Sequence, residues 1–179
     1  MLYKTIYHSP IGALTLGADE THLVGLWLAG QKYFGAGYQE PFAERADHPV
    51  LQKAVQWLQS YFAGERPLIS ALPLNPQGSP FRKRVWQILR EIPYGQVITY
   101  GDIARRLAQE QGQKSMAAQA VGSAVGHNPI SIIIPCHRVV GASRSLTGYA
   151  GGIERKIALL KLEGVDMSTL SVPTKGTAL

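Results

Sequence analysis

Residues 99–126 read TYGDIARRLAQEQGQKSMAAQAVGSAVG. This stretch holds two helices with a break between them. Thr99 and Asp102 stand three apart, the spacing at which a helix-capping side chain and an acidic partner satisfy each other's backbone N–H groups. Ile103 and Leu107 then form an apolar stripe at helical spacing. The polar run GQKS interrupts the pattern, and Ser115 is placed to cap a second helix over 116–126. Two short helices joined by a tight polar turn predict a helix-turn-helix. The second helix is almost wholly Ala, Gly, Val and Ser, without the long polar side chains that read base edges. Small residues serve close helix–helix packing, or close approach of the helix to something else, and the pattern alone leaves both open.

Working upstream, Ser79-Pro80 is an N-cap followed by proline at the first helical position. FRKRVWQILREI follows, with Phe81, Val85, Ile88, Leu89 and Ile92 on one face, and PYGQ stops it. LPLNPQGSP, residues 72–80, carries three prolines and a glycine and is the best linker. Before it, YKTIYHSP, ALTLGA and HLVGLWLA read as strands with turn residues between them. Residues 31–47 show no period. HPVLQKAVQWLQSYFAG places Val50, Leu51, Val55, Leu58, Tyr61 and Phe62 at helical spacing, with Pro49 at its start and Gly64 past its end. The chain thus divides into an α/β structural domain over 1–75, a mostly α domain with the helix-turn-helix over 76–165, and a disordered tail over 166–179.

Charge follows the same division. Residues 1–75 carry five Lys/Arg and six Asp/Glu; residues 76–179 carry thirteen and six. The whole excess of the net +6 sits in the second part, which fits a polyanionic partner, nucleic acid first, or a basic solvated surface. No apolar run approaches the roughly 20 residues a membrane helix needs, and the first 20 residues are too polar and broken for a signal peptide. The chain has a single cysteine, so no internal disulfide is required, and a cytoplasmic monomer is the expectation. His8, His22 and His48 are scattered in a cysteine-free domain, so no zinc site and no cofactor are expected.

The one cysteine lies in SIIIPCHRVVGA, residues 131–142. ISIII reads as a short buried strand that Pro135 ends. Cys136 follows where strand gives way to turn, with His137 and Arg138 directly after it. Thiols react as thiolates, which neighbouring basic groups favour. By itself such a pair fits a buried structural thiol or, if exposed, a cysteine hydrolase. Downstream, GYAGGIERKIALLKLEG joins a glycine-rich loop to a last helix on which Lys156 and Glu163, seven apart, share nearly one face.

Three blocks taken together, FRKRVWQILREIPYGQVITYGDIA, NPISIIIPCHRVVG and GYAGGIERKIALLKLEG, resemble the O6-alkylguanine–DNA alkyltransferases, or methylated-DNA–protein-cysteine methyltransferases. The resemblance is strong over about residues 78–165 and looser before it. It implies a ribonuclease H-like small sheet with a helix in the first domain. It also implies single-turnover transfer of a methyl or other alkyl group from guanine O6 in double-stranded DNA to Cys136. The DNA is bound through its minor groove, with the damaged nucleotide flipped out.

By this resemblance His137 is the base, acting through a water, and Glu163 the carboxylate that orients it. Asn128 stabilises the turn beneath the site. Tyr100 hydrogen bonds the departing guanine, with Lys156 near it. Val139, Tyr149 and Ala150 wall the guanine pocket, and carbonyls near Cys136 and Val139 read its exocyclic amine. Ser115, Ala118, Gln119, Tyr100 and Arg138 face DNA. Gln119 departs from the pattern, since relatives commonly insert an arginine there. Three other functions compete: a damage sensor of the alkyltransferase-like type, which lacks the cysteine; a helix-turn-helix regulator, which would need a ligand domain or dimer helix; and a Cys-His hydrolase, which would not use a basic DNA-binding domain.

Overall fold

The computed structural model describes residues 1–173 and divides into two compact units. The first comprises Met1–Gly78 together with Pro129–Ile133. Its sheet runs β3-β2-β1-β4, from β1 (Leu2–Ser9), β2 (Gly12–Ala18), β3 (Leu23–Leu28) and β4 (Phe42–Glu44). The first three are antiparallel neighbours; β4 lies parallel to β1, with Tyr3 opposite Ala43. Gly17 and Gly25 face each other across β2 and β3. A Cβ on Gly17 would come within 2.7 Å of the Phe42 ring, and one on Gly25 within 2.1 Å of the Trp27 ring. The two glycines therefore make the slot in which Trp27 and Phe42 meet edge to face, centroids 5.8 Å apart.

Helix α1 (Pro49–Phe62) packs on this sheet through Leu51, Ala54, Trp57, Leu58 and Tyr61. His48 caps it, its Nδ1 accepting from the Val50 N–H. The proline-rich segment is tied down at its start rather than free. Leu23 N–H donates to Pro73 O, and Asn75 N–H donates to Leu23 O.

The run 130–134 is not a strand. Only Ile130 makes a bridge, to Leu26, and the chain then turns through Ile132 at φ 71°. Leu26 N–H donates to Pro129 O, and Ser131 N–H donates to Leu26 O. The β-branched residues serve burial here, since Ile130, Ile132 and Ile133 are fully covered.

The second unit is Ser79–Asn128 and the chain from Ile134 onward. Helix α2 (Pro80–Arg90) starts as the Ser79-Pro80 pair predicts, with Ser79 Oγ accepting from Arg82 N–H. β5 (Ile98–Thr99) leads into α3 (Tyr100–Glu110), whose Thr99–Asp102 capping box is formed in both directions. α4 spans Ala118–Gly126, later than 116. Its N-cap is Ala117, with no side-chain cap, so Ser115 lies outside it on an exposed turn. That turn, 111–117, is longer than the three or four residues usual between such helices.

α4 packs on α2 and α3 through Val121, Ala124 and Val125, and Trp86 Nε1 donates to Ala124 O at 2.8 Å. After Cys136–Arg138, a single 3₁₀ turn, β6 (Val139–Val140) pairs parallel with β5, Thr99 opposite Val140. This short ladder brings the start of α3 beside the cysteine turn. α5 (Ile153–Leu162) closes the unit.

The expectation of a disordered tail over 166–179 fails for its described part. Met167 and Leu170 pack against Val140, Leu146 and Leu160, and Ser171 pairs with Ser145. Residues 174–179 lie outside the described residues. Among those described, no helix is long and apolar enough to cross a membrane.

Candidate active site and nucleic-acid interface

Pro135 ends the preceding segment and starts the 3₁₀ turn that buries Cys136, His137 and Arg138 together. Asn128 sits at the neck of this turn. Its Nδ2 donates to Ile134 O at 2.8 Å, and the Cys136 N–H donates to the same carbonyl at 2.8 Å. Burial pushes the Cys136 thiol up, so it rests protonated; Asn128, the Lys156 charge and the backbone N–H groups of Cys136 and His137 act in the opposite direction. The site thus holds a neutral thiol in surroundings already arranged for a thiolate.

Glu163 closes the C-terminus of α5 and is buried. Its Oε2 lies 2.6 Å from His137 Nε2 and accepts from Arg138 Nη2 at 3.2 Å. Its Oε1 accepts from Arg138 Nε at 2.8 Å and from Gly95 N–H at 3.0 Å. Burial alone would raise this carboxyl, but the hydrogen bond from His137 and the bonds and charge of Arg138 hold it well below the usual carboxylate range. Burial holds His137 below its usual value and keeps the imidazole neutral, although Glu163 acts in the opposite direction. An ionised carboxylate only accepts, so Nε2 carries the ring proton and Nδ1 the lone pair. That Nδ1 is buried and has no hydrogen-bond partner among the described residues.

Arg138 does not face DNA. It is 7% exposed, and its remaining donor reaches Ile92 O at 2.7 Å, with the guanidinium 5.7 Å from the Tyr94 ring centroid. Its charge is spent inside the fold, on the carboxylate it keeps ionised.

Lys156 is fully buried, and burial brings it down to about 8. Its Nζ donates to Val139 O at 2.5 Å and to Thr147 O at 2.8 Å. The Val139 carbonyl therefore already serves Lys156. Tyr100, at the first turn of α3, shares its hydroxyl proton between Thr147 O and Gly148 O, each at 3.1 Å. Burial pushes the Tyr100 hydroxyl up, and a thiolate at Cys136 adds to this once it forms. Gly148, at φ 70°, has no room for a Cβ, which would lie 2.9 Å from that hydroxyl. Tyr149 is buried, and its hydroxyl has no partner among the described residues; Ala150 is half-buried beside it. Sequence reasoning missed the Thr147 carbonyl, which joins Tyr100 to Lys156, because a backbone acceptor has no residue signature.

The small residues in α4 serve close packing on one side and leave the other side open. One face packs on α2 and α3, while Ala118, Gln119 and Ser123 are exposed on the other. A Cβ on Gly122 or Gly126 would meet nothing within 4 Å. Packing does not require glycine at either position, although glycine in a helix interior is less stable than alanine by about 0.8–1.0 kcal/mol.

Fold and site define a class of protein: a helix-turn-helix unit built around one framed, buried thiol, joined to a small α/β unit. The chain belongs to the 6-O-methylguanine DNA methyltransferase family. Residues 80–165 match its DNA binding domain and residues 2–76 its ribonuclease-like domain. The methylated-DNA–protein-cysteine methyltransferase of Haemophilus influenzae is 42% identical over 92% of this chain and 87% of its own. That of Mycobacterium tuberculosis is 46% identical over 90% and 91%. The crystal structure of Mycobacterium tuberculosis OGT in complex with DNA superposes with a TM-score of 0.77 at 42% identity, covering 94% of each chain.

Proposed function

We propose that the protein repairs DNA by direct reversal, moving an alkyl group from guanine O6 to its own Cys136 in a single turnover. The observation that carries this reading is the pairing of a protonated, buried thiol with a neighbouring imidazole. That imidazole's Nε2 is locked on Glu163, and its Nδ1 is free to accept a proton. His137 takes the thiol proton through a water. The sulfur–carbon bond forms as the carbon–O6 bond breaks, and the proton ends on the departing guanine while the alkyl group stays on sulfur. Glu163 supports the transient imidazolium, and Lys156 the transient thiolate. Tyr100 hydrogen bonds the leaving purine, turning its hydroxyl from the Thr147 and Gly148 carbonyls, and Tyr149 and Ala150 wall the pocket.

The open face of α4 enters the minor groove. Ser115 and Ala118 line the approach, and Gln119 fills the space left by the flipped nucleotide. Gly122 and Gly126 let the helix come close without reading sequence. The protein acts as a monomer in the cytoplasm, where a lone thiol stays reduced.

The test is intact-protein mass after mixing with a duplex carrying one O6-methylguanine. A gain of one methyl, mapped to Cys136 and absent in Cys136→Ala, is expected. Binding without a mass change would make the protein a damage sensor and refute the transfer.

A further inference from the structure

The segment after α5 does not leave the protein at Glu163. Val165, Met167 and Leu170 pack with Ile153 and Ile157 around Val140, Leu146 and Leu160. Ser171 then runs beside the loop that follows β6. Leu146 N–H donates to Ser171 O at 2.8 Å, and Ser171 N–H donates to Arg144 O at 3.1 Å. The Arg144 side chain returns the contact, with Nε to Thr169 O at 3.2 Å and Nη2 to Thr169 Oγ1 at 3.1 Å.

The loop so held is strained. Ser143 and Arg144, neither of them glycine, sit at φ 58° and 60°, a conformation that persists only where surrounding contacts impose it. One residue beyond the strap's bond at Leu146 is Thr147, whose carbonyl accepts from both Lys156 Nζ and Tyr100 Oη. Gly148, Tyr149 and Ala150 follow directly.

We infer that Val165–Ser171 is a strap that sets the rim of the guanine pocket and thereby discriminates small from bulky O6 substituents. This deepens the alkyl-transfer reading and rests on it. With the strap in place the 141–148 loop holds Thr147 O where it fixes Tyr100, and the wall formed by residues 148–150 stands close. With the strap loosened the loop relaxes from its strained turn, and the wall yields to a larger group.

Two full-length variants test this independently. Ser171→Pro removes the N–H that bonds Arg144 O, and Leu170, at φ −111° and ψ 148°, already has the extended conformation a following proline needs. Leu170→Ala removes the apolar anchor and leaves those hydrogen bonds in place. Single-turnover transfer is measured on duplexes carrying O6-methylguanine or O6-benzylguanine. The benzyl-to-methyl rate ratio is expected to rise about tenfold, the scale on which pocket fit discriminates apolar groups. A purely structural strap would lower both rates in parallel and leave the ratio unchanged; that result in either folded variant would overturn the proposal. Failure of the unaltered protein to take up methyl at Cys136 would refute alkyl transfer itself, a separate outcome.

Discussion

Arg138 and His137 are adjacent in sequence and converge on one carboxylate, Glu163, from two directions: Arg138 Nε on Oε1 at 2.8 Å and His137 Nε2 on Oε2 at 2.6 Å. The arginine keeps the carboxylate ionised, and the ionised carboxylate fixes the histidine's tautomer. Glu163→Gln preserves shape and removes both effects. The transfer rate is expected to fall about 10²- to 10⁴-fold, the usual weight of a general base. Stability should also drop, because the Arg138 charge is left buried without its partner. Rapid-quench transfer assays and urea unfolding measure the two separately; a rate within twofold of the parent would show that His137 needs no orientation.

Acid should act on rate and fold through the same pair. His137 lies below its usual 6.5 in the folded state, so the unfolded chain binds more protons as pH drops under that value, and stability declines from there. Glu163 lies below its usual 4.5 and adds a second loss as pH falls further. The transfer rate should hold down to about 6.5 and fall only below it, as the imidazole base is protonated. At the alkaline end Lys156 acts in the same sense, stability rising with pH. Its folded value of about 8 lies below its usual 10.5, so the unfolded chain binds the extra proton between them and stability rises across that window. Unfolding free energies from pH 4 to 10.5, compared with Lys156→Met at the upper end, check each limb.

These relations were unevenly legible in the sequence. The Thr99–Asp102 box, the Ser79-Pro80 start and the two hairpins came through because their causes are local: a cap, a proline, an alternation. β4 did not, since its three residues gain strand geometry only from the parallel ladder with β1. The run 130–134 misled because β-branched residues signal burial as strongly as they signal strand. The tail misled for the opposite reason: Met167 and Leu170 are too few to show a period, yet they reach a distant cluster. In the site, Cys136 and His137 stood out by their types. Glu163 is 26 residues from His137, and helix spacing offered it only as one carboxylate that could orient a histidine; its role as the partner of His137 came from the resemblance. Arg138 was read as a surface cation because a sequence gives charge without burial.

Gly122 in α4 offers a test that separates fold from function. Its Cβ position is open, so Gly122→Ala should stabilise the protein by up to about 1 kcal/mol. The same methyl group should weaken duplex binding by standing between helix and groove. Chemical denaturation and fluorescence titration with duplex DNA read the two effects; tighter or unchanged binding would remove this face from the interface.

Gln119 is exposed on the same helix. Gln119→Arg should raise duplex repair by adding charge and length where the flipped base leaves a gap, and Gln119→Gly should lower it. Equal repair by the two variants would show that the position does not fill the stack. Transfer from the free base O6-benzylguanine should be the same in both.

Trp86 links α2 to α4 through the Ala124 carbonyl. Trp86→Phe leaves that buried acceptor unpaired and should destabilise by about 1–3 kcal/mol. Thermal and urea unfolding check the loss, and a cost below 0.5 kcal/mol would show that the bond contributes little.

The excursion of Pro129–Ile133 out of the second unit and into the first has a consequence during synthesis. The sheet is made first but completed late: Leu26 waits for Pro129 and Ser131, which leave the ribosome only after α2, α3 and α4. Until then the nascent first unit leaves backbone groups of its apolar edge strand β3 unpaired. The cysteine turn follows directly behind this late piece. The acceptor thiol therefore comes into being at the moment the oldest part of the chain is finished, and a nascent chain stalled before that point exposes a sticky edge rather than a half-working enzyme.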